Sequence, residues 1–231
     1  MDVCIIKRVF SGARRDLKVR GIVFDMDGVL FDTERDSIRR IMELGHQMGY
    51  EISRELIVTN MGRNMAEVSQ IYREALGGCF DADRFWTQYW KERNAQYSRE
   101  GMPVKDSAVR LLRLAEERQI PCAVASSSPV EQVWHALEQA ELRSFFTGAI
   151  GGDMFEKSKP DPDIFLTAAR QLDLPPENCL VIEDSLNGLK AGRAAGMQVV
   201  YVKDVPSYSE EELDRYADYA FDQIEEAAEL L

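Results

Sequence analysis

The 231-residue sequence lacks several features, and their absence excludes whole classes of protein. It holds 2 histidines and 4 cysteines, and no two cysteines form a Cys-x-x-Cys pair. No apolar run approaches the roughly 20 residues that a transmembrane helix needs. Basic residues are few, since 28 Lys and Arg stand against 40 Asp and Glu, for a formal net charge of -12. The sequence therefore predicts neither a zinc module, a membrane protein nor a nucleic-acid-binding protein, which needs a basic face.

The composition that remains is that of an ordinary globular protein, with 45% hydrophobic and 29% charged residues. A chain of this size can form one large domain or a domain with an insert. Cys122 and Cys179 lie in apolar runs and are expected to be reduced core residues. No stretch near the start is long and apolar enough for a secretory signal, so we expect a cytoplasmic protein. Residues 1–20 are interpreted as an N-terminal extension, either flexible or with an extra edge strand at residues 3–6; a targeting peptide is the alternative.

Short apolar runs predict buried strands separated by helices. The runs lie at residues 22–24, 122–125, 149–150, 180–182, 199–202 and 219–221. Between them, segments such as DSAVRLLRLAEERQ carry apolar residues at helical spacing. Strands that alternate with helices predict an α/β fold, here a doubly wound, mostly parallel, Rossmann-like sheet.

One region, from about residue 35 to residue 99, interrupts this alternation. Ile38, Ile41 and Met42 have helical spacing there, and no convincing strand is found. We predict a helical insert at residues 34–100, joined to an α/β core formed by residues 21–33 and 101–231.

Two carboxylates, Asp25 and Asp27, directly follow the first predicted strand. Residues i and i+2 of an extended segment point the same way, roughly 7 Å apart. In open parallel sheets, ligands bind at the carboxyl edge. Two acids placed there repel each other, so a cation or a shared proton is needed. The pair alone is weak support for a site, because an acid at a strand end often only caps a turn.

Other polar residues follow later strands in the same way. They are Ser126, Ser127 and Ser128 after the second strand, Lys157 and Lys159 before a proline-fixed helix start, and Glu183 and Asp184 after a third strand. Each has a plain alternative reading as a turn residue, surface charge or helix cap. Ser128 is interpreted as such an N-cap, with Pro129 as the first helical residue. Their joint occurrence at strand ends nevertheless indicates one shared site.

These segments together resemble a known family. They are FDMDGVLFDTE (24–34), VASSS (124–128), KSKPDPDIF (157–165) and VIEDSLNGLKAGRAAGM (181–197). The sequence resembles the haloacid dehalogenase-like hydrolase superfamily, in the branch with a helical cap that includes β-phosphoglucomutase and small phosphatases. The resemblance spans residues 21–231 and implies that the insert is a cap domain.

The resemblance implies catalytic roles for the first two acids. Asp25 is expected to attack phosphorus and form an aspartyl-phosphate. Asp27 is expected to act as general acid and base, protonating the leaving oxygen. An alkoxide needs that proton whereas a halide does not, so the second acid favours phosphate transfer over dehalogenation. Asp32 is assigned to a turn or hinge, outside the catalytic set.

The resemblance also implies a Mg²⁺ cofactor and a phosphate cradle. Asp25, Asp184, the Asp27 backbone carbonyl and Glu183, directly or through water, are expected to hold the ion. Lys159, Ser126 and Ser127 are expected to bind the phosphoryl group, and Lys157 is left out of the site. In the cap, Arg63 is expected to meet the substrate, while Trp86, Tyr89 and Trp90 form cap core or stack on a sugar ring.

The predicted function is hydrolysis of a small phosphorylated metabolite, such as a sugar phosphate, by a Mg²⁺-dependent phosphatase. A β-phosphoglucomutase-like mutase is the alternative. Such mutases carry a cap histidine and an arginine at positions that align with Ser37 and Met65 here, so the phosphatase is favoured. A phospho-accepting receiver or regulatory binding module is a further alternative, although receivers place adjacent acids first and have no such insert. A monomer is expected, with a dimer as the alternative.

Overall fold

A computed structural model describes residues 8–11, 19–205 and 207–231 of the chain. Its strands are β1 (Arg8–Val9), β2 (Gly21–Phe24), β3 (Cys122–Ser126), β4 (Phe146–Gly151), β5 (Cys179–Glu183), β6 (Gln198–Val202) and β7 (Tyr219–Phe221). Its α-helices are α1 (Glu34–Gln47), α2 (Arg54–Thr59), α3 (Met65–Leu76), α4 (Ala82–Glu100), α5 (Asp106–Glu117), α6 (Val130–Gln139), α7 (Asp163–Gln171), α8 (Leu186–Ala194) and α9 (Glu210–Tyr216). Short 3-10 helices cover Arg143–Phe145, Gly152–Met154, Pro176–Asn178 and Ile224–Leu230.

The strands form one sheet in the order β1-β7-β6-β5-β2-β3-β4. Neighbours are parallel except at the edge, where β1 pairs antiparallel with β7. Each predicted strand at residues 22–221 is present, which confirms the doubly wound α/β fold. The edge strand suggested at residues 3–6 lies outside the described residues.

Helices cover both faces of the sheet, which explains why its strands read as continuous apolar runs. On β2, Ile22 and Phe24 pack with α5 and α6, whereas Val23 packs with α7 and α8 on the other face. Cys122 and Cys179 are buried free thiols, as predicted. Within the described ranges, no helix has the length and hydropathy needed to cross a bilayer.

Helices α1 to α4 lie between β2 and α5 and pack around their own apolar and aromatic cluster. The two joints to the sheet lie side by side: the Asp32 N–H donates to the Pro103 carbonyl at 2.8 Å, and the Lys105 N–H donates to the Leu30 carbonyl at 2.9 Å. These helices are called the cap below. The exact division at residues 34 and 100 stays a proposal.

The start of α6 differs from the prediction. The helix begins at Val130 with Pro129 at the N-cap, and this N-cap residue makes no side-chain hydrogen bond to the helix. The Val130 N–H instead donates to Asp153 at 2.8 Å. The Ser128 hydroxyl donates to Asp27 at 3.4 Å, so the N-cap interpretation of Ser128 was wrong. Asp153, in the 3-10 helix after β4, satisfies the first helical N–H, so Ser128 is not needed as the cap.

Candidate active site

The polar residues that follow β2, β3 and β5 meet at the carboxyl edge of the sheet. Asp25, Asp27, Ser126, Ser127 and Asp184 line one cavity between the sheet and the cap. Because these strands are adjacent and parallel, residues more than a hundred positions apart end within reach of one another. Lys159 and Glu183 belong to the same cluster and are 1% and 0% exposed. Asp25 and Asp184, with Lys159 and Glu183 in contact with them, are called the cavity floor.

Lys159 connects two of the floor carboxylates. Its ammonium group donates to Asp25 Oδ1 and to Glu183 Oε1, both at 2.6 Å, and to the Ala125 carbonyl at 3.1 Å. Three acceptors match the three protons of an ammonium group. Lys157, two residues earlier, is exposed.

Burial and electrostatic interactions shift the pKa values of three floor residues, Asp25, Asp184 and Lys159. Burial, opposed by Lys159 and reinforced by Glu183, raises the pKa of Asp25 to about 8. Burial also holds the pKa of Asp184 well above its usual range, with repulsion from nearby carboxylates adding to the effect. For Lys159, burial alone would lower the pKa, but attraction to Asp25 and Glu183 raises it. Ionising all three floor carboxyls would therefore place more negative charge there than Lys159 alone balances.

Glu183 is tied into the floor through both of its oxygens. Oε1 accepts from Lys159, and Oε2 accepts from the Asp184 N–H at 3.0 Å, the Ser185 N–H at 2.8 Å and the Ser185 hydroxyl at 3.0 Å. Gly188 in α8 makes room for this carboxylate, because a Cβ there would collide with it. Glu183 therefore fixes both the lysine and the turn that presents Asp184.

Asp27 receives hydrogen bonds from the sheet edge and from the cap. Its Oδ1 accepts from the Thr33 hydroxyl at 2.6 Å and from the Arg93 guanidinium at 2.9 Å. Its Oδ2 accepts from Ser128 at 3.4 Å. These donors hold the carboxylate in one orientation, and Arg93 of α4 links it directly to the cap.

The floor suits a hard divalent cation. Asp25, Glu183 and Asp184 can each offer one carboxylate oxygen, and these oxygens lie within 4.8 Å of one another. A further acid, Asp204, has a side chain that is 8% exposed, and its Oδ2 has no hydrogen-bond partner in the described structure. A Cβ added at Gly28 would lie less than 3.0 Å from both Asp184 Oδ2 and Asp204 Oδ2. Clustered, incompletely neutralised oxygens are the donor set that Mg²⁺ prefers.

A loop of the cap closes over the cavity. The Ser127 hydroxyl donates to the Gly62 carbonyl at 2.7 Å, so it binds the cap loop. Arg63 lines the cavity, and its guanidinium donates to Glu67 at 2.9 Å. Ser126 is 2% exposed, and its hydroxyl oxygen accepts from the Ser128 N–H at 3.1 Å.

Sequence reasoning missed Arg93, Thr33 and Asp204. One signal for Arg93 was available, since it falls on the same helical stripe as Tyr89 and Tyr97, both of which are buried. A charged residue on a buried stripe indicates a buried partner. Thr33 and Asp204 carry no comparable signal in the sequence.

Comparisons with known proteins identify relatives over most of the chain. Residues 19–196 match the family described as haloacid dehalogenase-like hydrolase. The chain is 34% identical over 206 residues to "Probable pseudouridine-5'-phosphatase" of Drosophila melanogaster, covering 84% of this chain and 85% of that protein.

Two further matches differ in extent. The chain is 36% identical over 195 residues to the chloroplastic protein SUPPRESSOR OF QUENCHING 1 of Arabidopsis thaliana, but these cover 80% of this chain and 18% of that longer protein. Among solved structures, CbbY from Rhodobacter sphaeroides in complex with xylulose-(1,5)bisphosphate superposes with a TM-score of 0.77 at 25% identity, covering 90% of this chain and 96% of that one.

Proposed function

The chain belongs to the haloacid dehalogenase-like hydrolases, and from this premise we propose that it is a Mg²⁺-dependent phosphatase of small phosphomonoesters. The observation that carries the proposal is the buried Asp25–Lys159–Glu183 network beside Asp184 and the cap-held Asp27. Such an arrangement can neutralise a phosphoryl group and move a proton beside it.

In the first step, an oxygen of Asp25 attacks phosphorus while the bond from phosphorus to the leaving oxygen breaks. Asp27 gives its proton to that oxygen, so an alcohol departs and an aspartyl-phosphate remains. Asp25 Oδ1 is held by Lys159 at 2.6 Å, which fixes the attacking carboxylate and reduces its repulsion from the phosphoryl oxygens.

In the second step, water attacks the same phosphorus. Asp27 takes a proton from this water, and the bond from phosphorus to Asp25 breaks to release inorganic phosphate. Thr33 and Arg93 keep Asp27 aimed at the cavity in both steps. Ser126 at the end of β3 and Ser127 after it line the cavity, and we expect them to donate to the phosphoryl oxygens, for which the Ser127 hydroxyl must leave the Gly62 carbonyl.

The residues that would hold Mg²⁺ are Asp25, Asp184 and Glu183, together with the backbone carbonyl of Asp27. The bound ion supplies positive charge to the carboxylate cluster and the phosphoryl oxygens. Burial keeps the pKa of Asp25 near 8, so neutralising charge at the floor is needed for an ionised nucleophile at neutral pH.

The test measures phosphate release from a panel of phosphomonoesters by wild type, Asp25→Asn and the control Asp32→Asn. Asp32 lies in the same motif and is exposed. We expect Asp25→Asn to lose at least about 1,000-fold in kcat and Asp32→Asn to stay close to wild type. Chelation should stop wild-type turnover, and added Mg²⁺ should restore it. An Asp25→Asn enzyme as active as the control would remove Asp25 from the nucleophile role.

The mutase alternative has weaker support in the cap. At the position aligned with the mutase histidine, Ser37 accepts a hydrogen bond from the Tyr89 hydroxyl at 3.0 Å. Interconversion of sugar phosphates without net phosphate release would favour the mutase. A receiver or binding role predicts phosphorylation without turnover. The monomeric state, the cytoplasmic location and a sugar phosphate as the substrate stay predictions.

A further inference from the structure

The cavity changes character as it passes from the sheet into the cap. Its volume is about 140 Å³, roughly ten times what one water needs. The cap side of this cavity, called the cavity roof, is lined by Ile38, Ile41, Ile57, Val68, Tyr72 and Trp86. All six are less than 10% exposed and belong to the cap core cluster. Apart from the Glu34 carboxyl at the start of α1, which also lines the cavity, the leaving group of the substrate therefore meets an apolar wall on the cap side.

Several polar side chains on the cap side are already paired with cap atoms. The Tyr89 hydroxyl donates to Ser37 at 3.0 Å, and the Asn60 amide donates to the Leu56 carbonyl at 2.8 Å. A buried hydroxyl that loses water without gaining a partner is destabilising. A polyol pressed against this roof would leave several hydroxyls unpaired.

The cationic side chains that line the cavity are also paired. Arg63 bonds to Glu67 at 2.9 Å, and Arg93 bonds to Asp27 at 2.9 Å. Both arginines are already neutralised by a carboxylate, although the Nε of each has no partner, and the described lining residues include no other arginine and no lysine. The cavity therefore suits a substrate with a single phosphate, which the floor receives.

Several buried nitrogens on the cap side have no hydrogen-bond partner within the described structure, and among the six roof residues the one that carries such a nitrogen is Trp86. Trp86 Nε1 is buried and makes no hydrogen bond within the described structure. The indole N–H can only donate, so it needs an acceptor. The Trp86 ring continues an aromatic series, with centroids 5.7 Å from Tyr72 and 5.6 Å from Tyr89. These rings are tilted or edge-to-face with respect to one another, and a flat ligand can pack against an aromatic surface of this kind.

We propose that the released alcohol carries a flat, largely apolar group with a hydrogen-bond acceptor, such as an aromatic heterocycle, and that Trp86 donates its N–H to that acceptor. Nucleoside 5′-monophosphates have this chemistry, whereas hexose and hexitol phosphates do not. The proposal rests on the proposed phosphatase function and names its substrate class.

The first experiment uses substrates that differ only by the flat group. Ribose 5-phosphate is compared with the 5′-monophosphates of uridine, cytidine, adenosine and guanosine, with the full chain and Mg²⁺. We expect kcat/KM for the best nucleotide to exceed that for ribose 5-phosphate by at least about ten-fold, because the base replaces water at the roof. Equal or higher kcat/KM for ribose 5-phosphate or a hexitol phosphate would overturn the substrate class. Release of phosphate from no substrate would instead contradict the phosphatase function.

The second experiment isolates the indole donor. Trp86→Phe keeps a ring and removes the N–H, and Trp134→Phe makes the same change on α6, where the ring packs under Arg143 outside the cavity. We expect the ratio of kcat/KM for the best nucleotide to that for ribose 5-phosphate to fall about five-fold in Trp86→Phe and to stay constant in Trp134→Phe. Thermal melts check that both variants are folded. An unchanged ratio in Trp86→Phe would overturn the role of Trp86.

Discussion

The floor and the roof of the cavity differ in how many hydrogen bonds their residues make to other protein atoms. At the floor, Lys159 donates to three oxygens, and both oxygens of Glu183 are engaged. At the roof, apolar side chains surround an unpartnered indole N–H on Trp86. Because hydrogen bonds already order the floor, it can stabilise charge without reorganising. The roof has a donor without a partner, so it can discriminate between substrates that do and do not supply an acceptor. Chemistry and specificity are thus assigned to opposite sides of one cavity.

The largest expected effect comes from removing the cation of the floor. Lys159→Met leaves Asp25 and Glu183 buried beside each other without their shared partner. We expect the free energy of unfolding at neutral pH in chelator to fall by about 3–5 kcal/mol. Lys157→Met makes the same substitution at an exposed site and should cost less than about 0.5 kcal/mol. Urea denaturation measures both values, and equal losses would contradict a fixed floor.

The pH dependence of Lys159→Met sharpens the same test. Burial already raises the pKa of Asp25 to about 8 from an ordinary value of 3.8, and losing Lys159 raises that pKa further. A carboxyl whose folded pKa exceeds its unfolded pKa binds more protons in the folded state, so stability falls as pH rises between the two. The deficit relative to wild type should therefore stay level from about pH 6 to about pH 8, where Asp25 holds its proton in both folded proteins, and grow above about pH 8. A deficit that shrinks over this range would contradict the assignment.

The fold and the floor were largely predictable because their signals are local. Apolar runs that end in Asp25, Ser126 and Glu183 identify both the strands and the edge where they meet. The geometry of parallel strands then brings those ends together without further information. The hydrogen bonds that each site residue makes within the protein could not be predicted. Glu183 was predicted to be a cation ligand, but its carboxylate also accepts hydrogen bonds from two backbone N–H groups and a hydroxyl.

The roof was less predictable because it depends on how the cap helices pack on the sheet. Arg93 and Asp27 lie 66 positions apart, and their contact requires the register of α4 over the sheet edge. No local pattern sets that register, since tertiary packing determines it. Trp86 was predicted to form cap core or to stack on a sugar ring. It belongs to the cap core cluster and also lines the cavity, and stacking on a ligand stays a prediction. The sequence therefore predicts the chemistry more closely than the specificity.

The second effect concerns the space beside Asp184. Gly28→Ala places a Cβ less than 3.0 Å from Asp184 and Asp204 at a backbone φ of +82°. Gly49→Ala, in the cap, is the matched control, because its φ is +83° and nothing lies within 4 Å of its added Cβ. Both variants carry the strain of a left-handed alanine, but we expect Gly28→Ala to lose about 1–3 kcal/mol more from overpacking.

The metal response distinguishes the two glycines further. Mg²⁺ should raise the melting temperature of wild type and of Gly49→Ala, because an ion that binds the folded state stabilises it. Gly28→Ala displaces carboxylates at the floor, so its melting temperature should respond little. Titration of Mg²⁺ against thermal unfolding measures this without any substrate. An equal response in all three proteins would place the ion away from this carboxylate pair.

The smallest expected effect concerns the contact that joins roof and floor. Arg93 is 3% exposed and donates to Asp27, whose side chain is 22% exposed. Arg93→Met should cost about 1–3 kcal/mol of stability because a hydrogen bond to a charged group is lost. It should also lower kcat about ten-fold, since Thr33 and Ser128 still orient Asp27. Arg84→Met, at an exposed position of the same helix, is the control.

The pattern of the Arg93→Met defect decides what the contact does. If Arg93 acts by orienting Asp27, the loss falls on kcat for every phosphomonoester, and Arg93→Lys recovers part of it because a cation returns to the carboxylate. If Arg93 only stabilises the cap, the kcat of Arg93→Met matches that of wild type wherever the variant is fully folded. Arg93→Lys then recovers stability and does not change kcat. A change in KM alone, for one class of substrate, would show that Arg93 contributes to substrate selectivity at the roof and not to the reaction at the floor.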